Sequence, residues 1–337
     1  MKLKNTQTRR FILPALLLAA ALLGNLIVTT PNAARAQAPA LEVFGTNVGR
    51  PQTVTLTPTG DFYVVDTDNR ILRLSGKGGA ASVVATLDYS LRDGAFLPVE
   101  FGLLSGRLLI VGGVATTNTP AFASTMDDTF SIALAPHAAQ PSSLWSAAIS
   151  ATGFGRFAGG MLVLNQGSGR NLKDGSVDFF AYDGSLGRVA NLPQVTVPYD
   201  FVLAPQGFGD VAGTLLVSDA RSGGIYSVDA NGQVRLFTTI PLGTGQSGLR
   251  QMAFAPQCFG SYRRHLFVSL SSGEVVVVDR KGTRVAKISG LIAPRGLTFA
   301  DLAGEPSLLI SDLGDQPAAN PNGKVWRALP EHVVPVP

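Results

Sequence analysis

Six times along the chain, a run of mostly aliphatic residues closes on a small or polar one. The runs are Phe62-Tyr-Val-Val-Asp66, Leu108-Leu-Ile-Val-Gly112, Met161-Leu-Val-Leu-Asn165, Leu215-Leu-Val-Ser-Asp219, Leu266-Phe-Val-Ser-Leu270 and Leu308-Leu-Ile-Ser-Asp312. Apolar runs this short, bounded by glycine and polar residues, predict strands buried on both faces. Their last residues are 46, 53, 54, 51 and 42 positions apart, a spacing that signals repeated structural units. A second strand pattern follows most runs, as in Arg70-Ile-Leu-Arg-Leu74, Gly224-Ile-Tyr-Ser-Val228 and Glu274-Val-Val-Val-Val278. A tight turn then ends on glycine at Gly78, Gly184, Gly232 and Gly282, where positive φ is cheap. A third strand, such as Gln233 to Ile240, comes after the turn, and a fourth, such as Phe201 to Ala204, lies upstream of the run. Phe-Gly at 154, 208 and 259 falls seven residues before the next run each time.

Four short antiparallel strands repeated six times predict an all-β, six-bladed β-propeller, in which each sheet covers its neighbours' faces. The last unit lacks an outer strand, because the chain runs into a proline-rich tail after Leu329. Leu41-Glu-Val-Phe-Gly-Thr46 reads as an outer strand with no inner strands before it. Pairing it with Lys324 to Ala328 would close the ring with strands from both chain ends. The expected blades lie near 49–87, 98–148, 149–193, 197–241, 248–289 and 293–330 plus 41–46, within one domain spanning 37–337.

Charge and the chain start change the picture of where the propeller works. Lys2, Lys4, Arg9 and Arg10 precede an apolar stretch from Phe11 to Val28, and small-residue sites follow at Ala34-Arg35-Ala36 and Ala36-Gln37-Ala38. That order predicts a signal peptide over 1–36, cleaved to leave a periplasmic or secreted protein with no membrane attachment. Thr8-Arg9-Arg10-Phe11-Ile12-Leu13 is compatible with either the general secretory or the twin-arginine route. The leader holds five basic residues and no acidic ones, so taking them from the 27 Lys and Arg leaves 22 against 23 Asp and Glu. The remaining chain has no net positive field for nucleic acid. Cys258 is the sole cysteine and cannot form an intramolecular disulfide. The expectation is a monomer whose partner is a protein, a glycan or a small polar molecule.

The units at Pro51 to Leu74 and Pro198 to Gly232 resemble NHL repeats, with Val-Val-Asp66-Thr-Asp-Asn69-Arg-Ile71 the nearest match. More broadly the chain is similar to the six-bladed propellers of the gluconolactonase and senescence-marker group, and to exported bacterial propellers. The resemblance covers residues 41 to 330 and implies architecture, because propellers host many chemistries. In the gluconolactonase-like members a divalent cation sits in the channel on Glu, Asn and Asp. Carried onto this sequence, that pattern matches only Glu100 and Asp200, and Tyr199 stands where the Asn is expected.

Within the sequence itself, Asp66, Asp219 and Asp312, with Asn165 in register, read as turn-tethering acceptors at strand ends rather than metal ligands. No Gly-x-Ser-x-Gly, His-Glu-x-x-His or Cys-x-x-Cys occurs, and His137, His265 and His332 have no metal-ligand spacing. No catalytic residue is therefore assigned. The candidate ligand site is the entrance of the innermost strands, aligned on Pro51, Pro98, Pro198, Leu249 and Pro294. Gln52, Glu100, Tyr199, Asp200, Arg250 and Arg295 follow these positions and would rim the channel. Such a rim is either a site for a polar guest or a self-neutralised plug. The expected function is that of a non-catalytic binding scaffold without a cofactor. The alternative is a metal-dependent lactonase or related hydrolase with one divalent cation, such as calcium, in the channel on Glu100 and Asp200.

Overall fold

The computed structural model describes residues 39–88, 90–97, 105–114, 119–126, 132–136, 143–150, 154–157, 160–167, 173–181, 186–243, 248–315 and 322–336. The expected signal segment, Glu100 and His137 lie outside them. The described residues form six sheets, antiparallel but for a short parallel pairing of Gly45 and Thr46 with Gly79 and Ala80, and these are the blades of a β-propeller. From the innermost strand outward, blade 1 comprises Pro51–Leu56, Phe62–Asp66, Arg70–Leu74 and Ser82–Thr86. Blade 2 comprises Leu91–Phe96, Leu108–Val114, Thr119–Met126 and Ile132–Pro136, and blade 3 Leu144–Ser150, Gly160–Asn165, Ser176–Ala181 and Leu186–Asn191. Blade 4 comprises Pro198–Leu203, Leu215–Asp219, Gly224–Val228 and Val234–Thr239, and blade 5 Leu249–Phe254, Leu266–Leu270, Glu274–Val278 and Arg284–Ile288. Blade 6 comprises Pro294–Leu302, Glu305–Asp312, Lys324–Ala328 and, as its fourth strand, Glu42–Thr46. The innermost strands touch in the order 1 to 6 and back to 1, so the ring is closed.

The six apolar runs are the second strands, and they carry the core. Val64, Ile110, Val163, Val217, Val268 and Leu309 are all buried completely, between sheets packed on either side. The Phe-Gly signal is a corner below the first two strands of a blade. Phe154, Phe208 and Phe259 are fully buried, and Phe259 meets Phe267 and Phe299 edge to face at 5.6 and 4.9 Å. Gly209 follows Phe208 at φ +58°, and a Cβ there would lie 2.4 Å from the Arg280 carbonyl, so the corner admits only glycine.

Ring closure follows the expected pairing. Glu42 lies opposite Arg327, Val43 opposite Trp326 and Gly45 opposite Val325, all antiparallel. The proline-rich tail is also put to structural use. Val334–Pro335 pairs with Ala286 and Lys287 at the outer edge of blade 5. His332 is buried, accepts the Leu329 N–H on Nδ1 and reaches the Ala40 carbonyl from Nε2 at 3.1 Å, tying the tail to the closing strand.

Two blade boundaries differ from the sequence expectation. Blade 2 opens at Leu91, not near Pro98, and Leu144–Ser150 belongs to blade 3. Pro98 imitated the proline that opens blades 1, 4 and 6, whereas blades 2, 3 and 5 open on leucine. The register holds the missing signal. Leu91, Leu144, Pro198 and Leu249 each pair with the residue 21 positions ahead, namely Gly112, Asn165, Asp219 and Leu270.

Candidate functional site: two layers at the channel mouth

Every innermost strand carries the same irregularity. One extra residue is inserted directly after the first, between Pro51 and Thr53, Leu91 and Asp93, Leu144 and Ser146, Pro198 and Phe201, Leu249 and Met252, and Pro294 and Leu297. Such a bulge re-aims the side chains around it and leaves backbone N–H groups without ladder partners. The second residues of the strands, Gln52, Arg92, Trp145, Tyr199, Arg250 and Arg295, form a rim. The third residues, Thr53, Asp93, Ser146, Asp200, Gln251 and Gly296, form a floor one step deeper.

The floor is a closed hydrogen-bond network. Gln251 donates to Asp93 at 3.2 Å across the channel, from blade 5 to blade 2, and to Thr53 of blade 1 at 3.2 Å. Asp93 also accepts the N–H groups of Gly94 and Ala147, and Asp200 accepts the Met252 N–H at 2.7 Å. Ala147, Met252 and Leu297 are the fourth residues of their strands, and each gives its N–H to the preceding blade's floor residue: Asp93, Asp200 and Gln251. The floor side chains thus serve donors that the bulges free, and they staple blade to blade. Thr53, Asp93, Ser146 and Asp200 are each 5% exposed or less.

Ser146 lies between the two carboxyls, 3.0 Å from Asp93 Oδ2 and 2.6 Å from Asp200 Oδ1. Its single hydroxyl hydrogen can serve only one of them, so the other contact needs a proton on a carboxyl. Burial first, and then the nearby Asp93 charge, push the Asp200 carboxyl up to about 7. Burial also raises Asp93, against the opposing pull of the Gly94 and Ala147 N–H groups. Both carboxyls are thus pushed upward by burial, and Ser146 bridges them, so the geometry suits one proton held between the pair.

All four carboxylate oxygens already have protein partners. Among the described residues no three His, Cys, Asp or Glu side chains cluster to hold a metal.

The rim is built differently. Arg92 stacks over the Trp145 ring, 4.6 Å from its centroid, and Arg250 over Tyr199 at 4.8 Å. The Trp145 and Tyr199 rings pack on each other at 4.9 Å, giving one arc of four side chains across blades 2 to 5. Serines in the second strands fix the rim backbone of the following blade. Ser218 donates to the Arg250 carbonyl, Ser269 to that of Arg295 at 2.6 Å, and Ser311 to that of Gln52.

Of the residues singled out in the sequence, Gln52, Tyr199, Arg250 and Arg295 occupy the rim, and Asp200 belongs to the floor. In blade 2 the aligned positions are Arg92 and Asp93, and the expected Glu100 lies outside the described residues. Arg92, Asp93, Trp145 and Ser146 escaped the sequence reading, and counting back 21 residues from Gly112 and Asn165 would have found them. The strand-end acceptors act structurally, as expected. Asp219 takes the Thr196, Val197 and Arg221 N–H groups, Asp312 those of Ile292, Ala293 and Gly314, and Asn165 that of Gly167. Burial works to raise the Asp219 carboxyl, but these donors and the Ser222 hydroxyl outweigh it and hold it low. A separate groove of about 570 Å³ lies at the ring seam, where Arg327 pairs with Glu42 and Glu305.

No family model matches the chain, and no curated protein sequence matches it. Solved structures do. A gluconolactonase from Xanthomonas campestris superposes with a TM-score of 0.62 at 15% identity, over 91% of this chain and 94% of that one. A calcium-binding protein, regucalcin, from Agrobacterium tumefaciens gives 0.58 at 16% identity, over 85% and 94%. Virginiamycin B lyase from Staphylococcus aureus gives 0.53 at 12% identity, over 85% and 98%. The chain therefore has the β-propeller fold shared by the gluconolactonase- and regucalcin-like structures.

Proposed function

We propose that this protein is an exported, non-catalytic propeller that binds a small polar ligand at the rim of its central channel. The observation behind this reading is the separation of the two layers. Floor carboxyls are occupied in stapling blades, while partly buried rim side chains are re-aimed by the bulges into the concave mouth, the default place for a ligand in such a fold. The leader at 1–36 supports export to the periplasm or outside the cell. The near-zero net charge without it argues against nucleic acid.

The second reading is a metal-dependent lactonase. It draws on the likeness to the gluconolactonase and on two carboxyls meeting at the channel centre. It asks these carboxyls to ligate a cation while holding the next blade's N–H groups, and any donor they release would be stranded at about 1–3 kcal/mol.

The test is to assay the purified protein for bound divalent metal and lactone hydrolysis, and in parallel to screen polar metabolites by thermal shift. Binding without metal or turnover, lost on Trp145→Ala, is the expected result. A stoichiometric cation whose removal by chelator abolishes lactone hydrolysis would overturn the proposal in favour of the second reading.

A further inference from the structure

The rim is used unevenly around the ring. Across blades 2 to 5 its side chains engage one another, Arg92 on Trp145, Trp145 on Tyr199 and Arg250 on Tyr199, and Arg250 also reaches Ser271 at 3.4 Å. The two remaining rim residues, Arg295 of blade 6 and Gln52 of blade 1, are neighbours where the ring closes. Gly296 brings them together: a Cβ there would lie 2.7 Å from the Thr53 Cα and 3.0 Å from the Gln52 carbonyl, so the two strands approach this closely only with glycine. Ser311 ties the same strands, accepting the Gly296 N–H at 2.7 Å and donating to the Gln52 carbonyl at 3.3 Å. Ser269 holds the Arg295 carbonyl at 2.6 Å. Both backbones are thus fixed, yet among the described residues neither side chain has a hydrogen bond, ion pair or ring contact. Both are partly exposed, and the Arg295 Nε is buried without an acceptor.

A partly enclosed guanidinium whose donors lack acceptors favours a guest that supplies them, and its fork matches two oxygens of a carboxylate or phosphate. The floor residues of blades 5, 6 and 1 are Gln251, Gly296 and Thr53, so this sector's own floor offers Arg295 no acidic partner. Gln52 beside it can donate or accept through its amide, which suits a hydroxyl or N–H next to the acidic group. In a closed ring of six, blade 3 stands opposite blade 6, and its partly exposed Trp145 forms the facing wall. We infer that the ligand seats on the sector of blades 6 and 1 and carries one oxyanionic group, received by Arg295, with a neighbouring hydrogen-bonding group on Gln52. The inference rests on the reading of the rim as the binding face, and it adds where the ligand sits and what charge it carries.

The experiment is isothermal titration calorimetry on the purified protein at fixed ionic strength with four probes: mandelate, phenylacetate, mandelamide and phenyl phosphate. Their shared phenyl ring keeps contacts with the aromatic arc constant, so differences between them report the oxyanion and the hydroxyl. Mandelate or phenyl phosphate is expected to bind at least about tenfold more tightly than neutral mandelamide, and their order tells a carboxylate from a phosphate ligand. Arg295→Gln should weaken the anions about tenfold or more and leave mandelamide unchanged, which also shows that the variant is folded. Arg295→Lys, which keeps the charge and loses the fork, should fall between. Gln52→Ala should bring mandelate down about threefold, to the level of phenylacetate, which lacks the hydroxyl. Arg250→Gln should weaken the anions less than Arg295→Gln does. Equal affinity for mandelate, phenyl phosphate and mandelamide overturns the inference, as does an anion preference that survives Arg295→Gln. Probes that bind without anion preference and are lost on Trp145→Ala keep the rim as the binding face and remove this inference alone. Binding that neither Trp145→Ala nor Arg295→Gln alters, or no binding by any of the four, removes both.

Discussion

The floor and the rim of the channel mouth come from adjacent residues of the same six strands, yet they do opposite things. At the third position Thr53, Asp93, Ser146 and Asp200 are almost fully buried, and Asp93, Asp200 and Gln251 satisfy backbone donors of the next blade. At the second position Arg92, Trp145, Tyr199 and Arg250 stack in one arc, and all six residues but Tyr199 stay partly exposed. A one-residue bulge, repeated in every blade, makes this possible by placing two successive side chains at the mouth instead of on opposite sheet faces. Polar residues in a propeller channel are therefore not one class, and a carboxyl there has to be traced to its donors before it is read as a ligand for anything.

The comparison can be broken first at the floor. Asp93→Ala strands the Gly94 and Ala147 N–H groups, the Gln251 amide and the Ser146 hydroxyl inside the ring. Urea unfolding should show a loss of ~3 kcal/mol or more, since several buried donors lose their acceptor together. A loss under about 1 kcal/mol would mean that the floor is not a staple. The serines linking the layers should matter less. Ser269→Ala removes the donor to the Arg295 carbonyl and is expected to cost about 1–2 kcal/mol. It should also weaken ligand binding by freeing the Arg295 backbone, which calorimetry on the same sample would show. The rim should matter least to stability. Arg250→Gln gives up the stacking contact on Tyr199, worth about 1 kcal/mol or less at a partly exposed site, and a long bond to Ser271. Its melting curve should stay close to the parent's while the rim's ligand response is weakened.

Much of this architecture was legible in the sequence because strand burial on two faces writes itself as short aliphatic runs, and six of them repeat. Ring closure was legible too, since Leu41 to Thr46 and Lys324 to Ala328 each left an edge without a partner. The site was only half legible. Tyr199, Arg250 and Arg295 follow a proline or leucine in units whose strands are sharply patterned. Blades 2 and 3 hid theirs, because Leu91-Arg-Asp-Gly-Ala-Phe96 and Leu144-Trp-Ser-Ala-Ala-Ile-Ser150 mix polar and small residues, and Pro98 offered a false anchor. The division into floor and rim was not legible at all. It depends on a bulge, and a bulge changes side-chain direction without changing composition. The early choice between a site and a plug was therefore posed too simply, since Asp200 and Arg250 lie in different layers.

The central claim is that the two channel carboxyls share a proton and staple the ring, and pH tests it most directly. Asp200 has its carboxyl raised to about 7 in the fold against 3.8 for an ordinary aspartate. The unfolded chain therefore gives up this proton more readily, so the stabilisation is fully present below about pH 4 and is lost as pH rises toward 7. Asp93, also raised by burial, acts in the same direction. Asp200→Asn replaces the shared proton with an amide that can donate to Ser146 and still accept from Met252. Unfolding free energies of parent and Asp200→Asn at pH 5.5 and 8.5, without added metal, are the measurement. The expected result is a parent weaker at pH 8.5 by on the order of 2 kcal/mol, with a variant whose stability changes less and matches or exceeds the parent's at the higher pH. A parent that gains stability over this range, or a variant equally destabilised at both pH values, would contradict the claim, because Asp200 would then be an ionised carboxylate open to a cation.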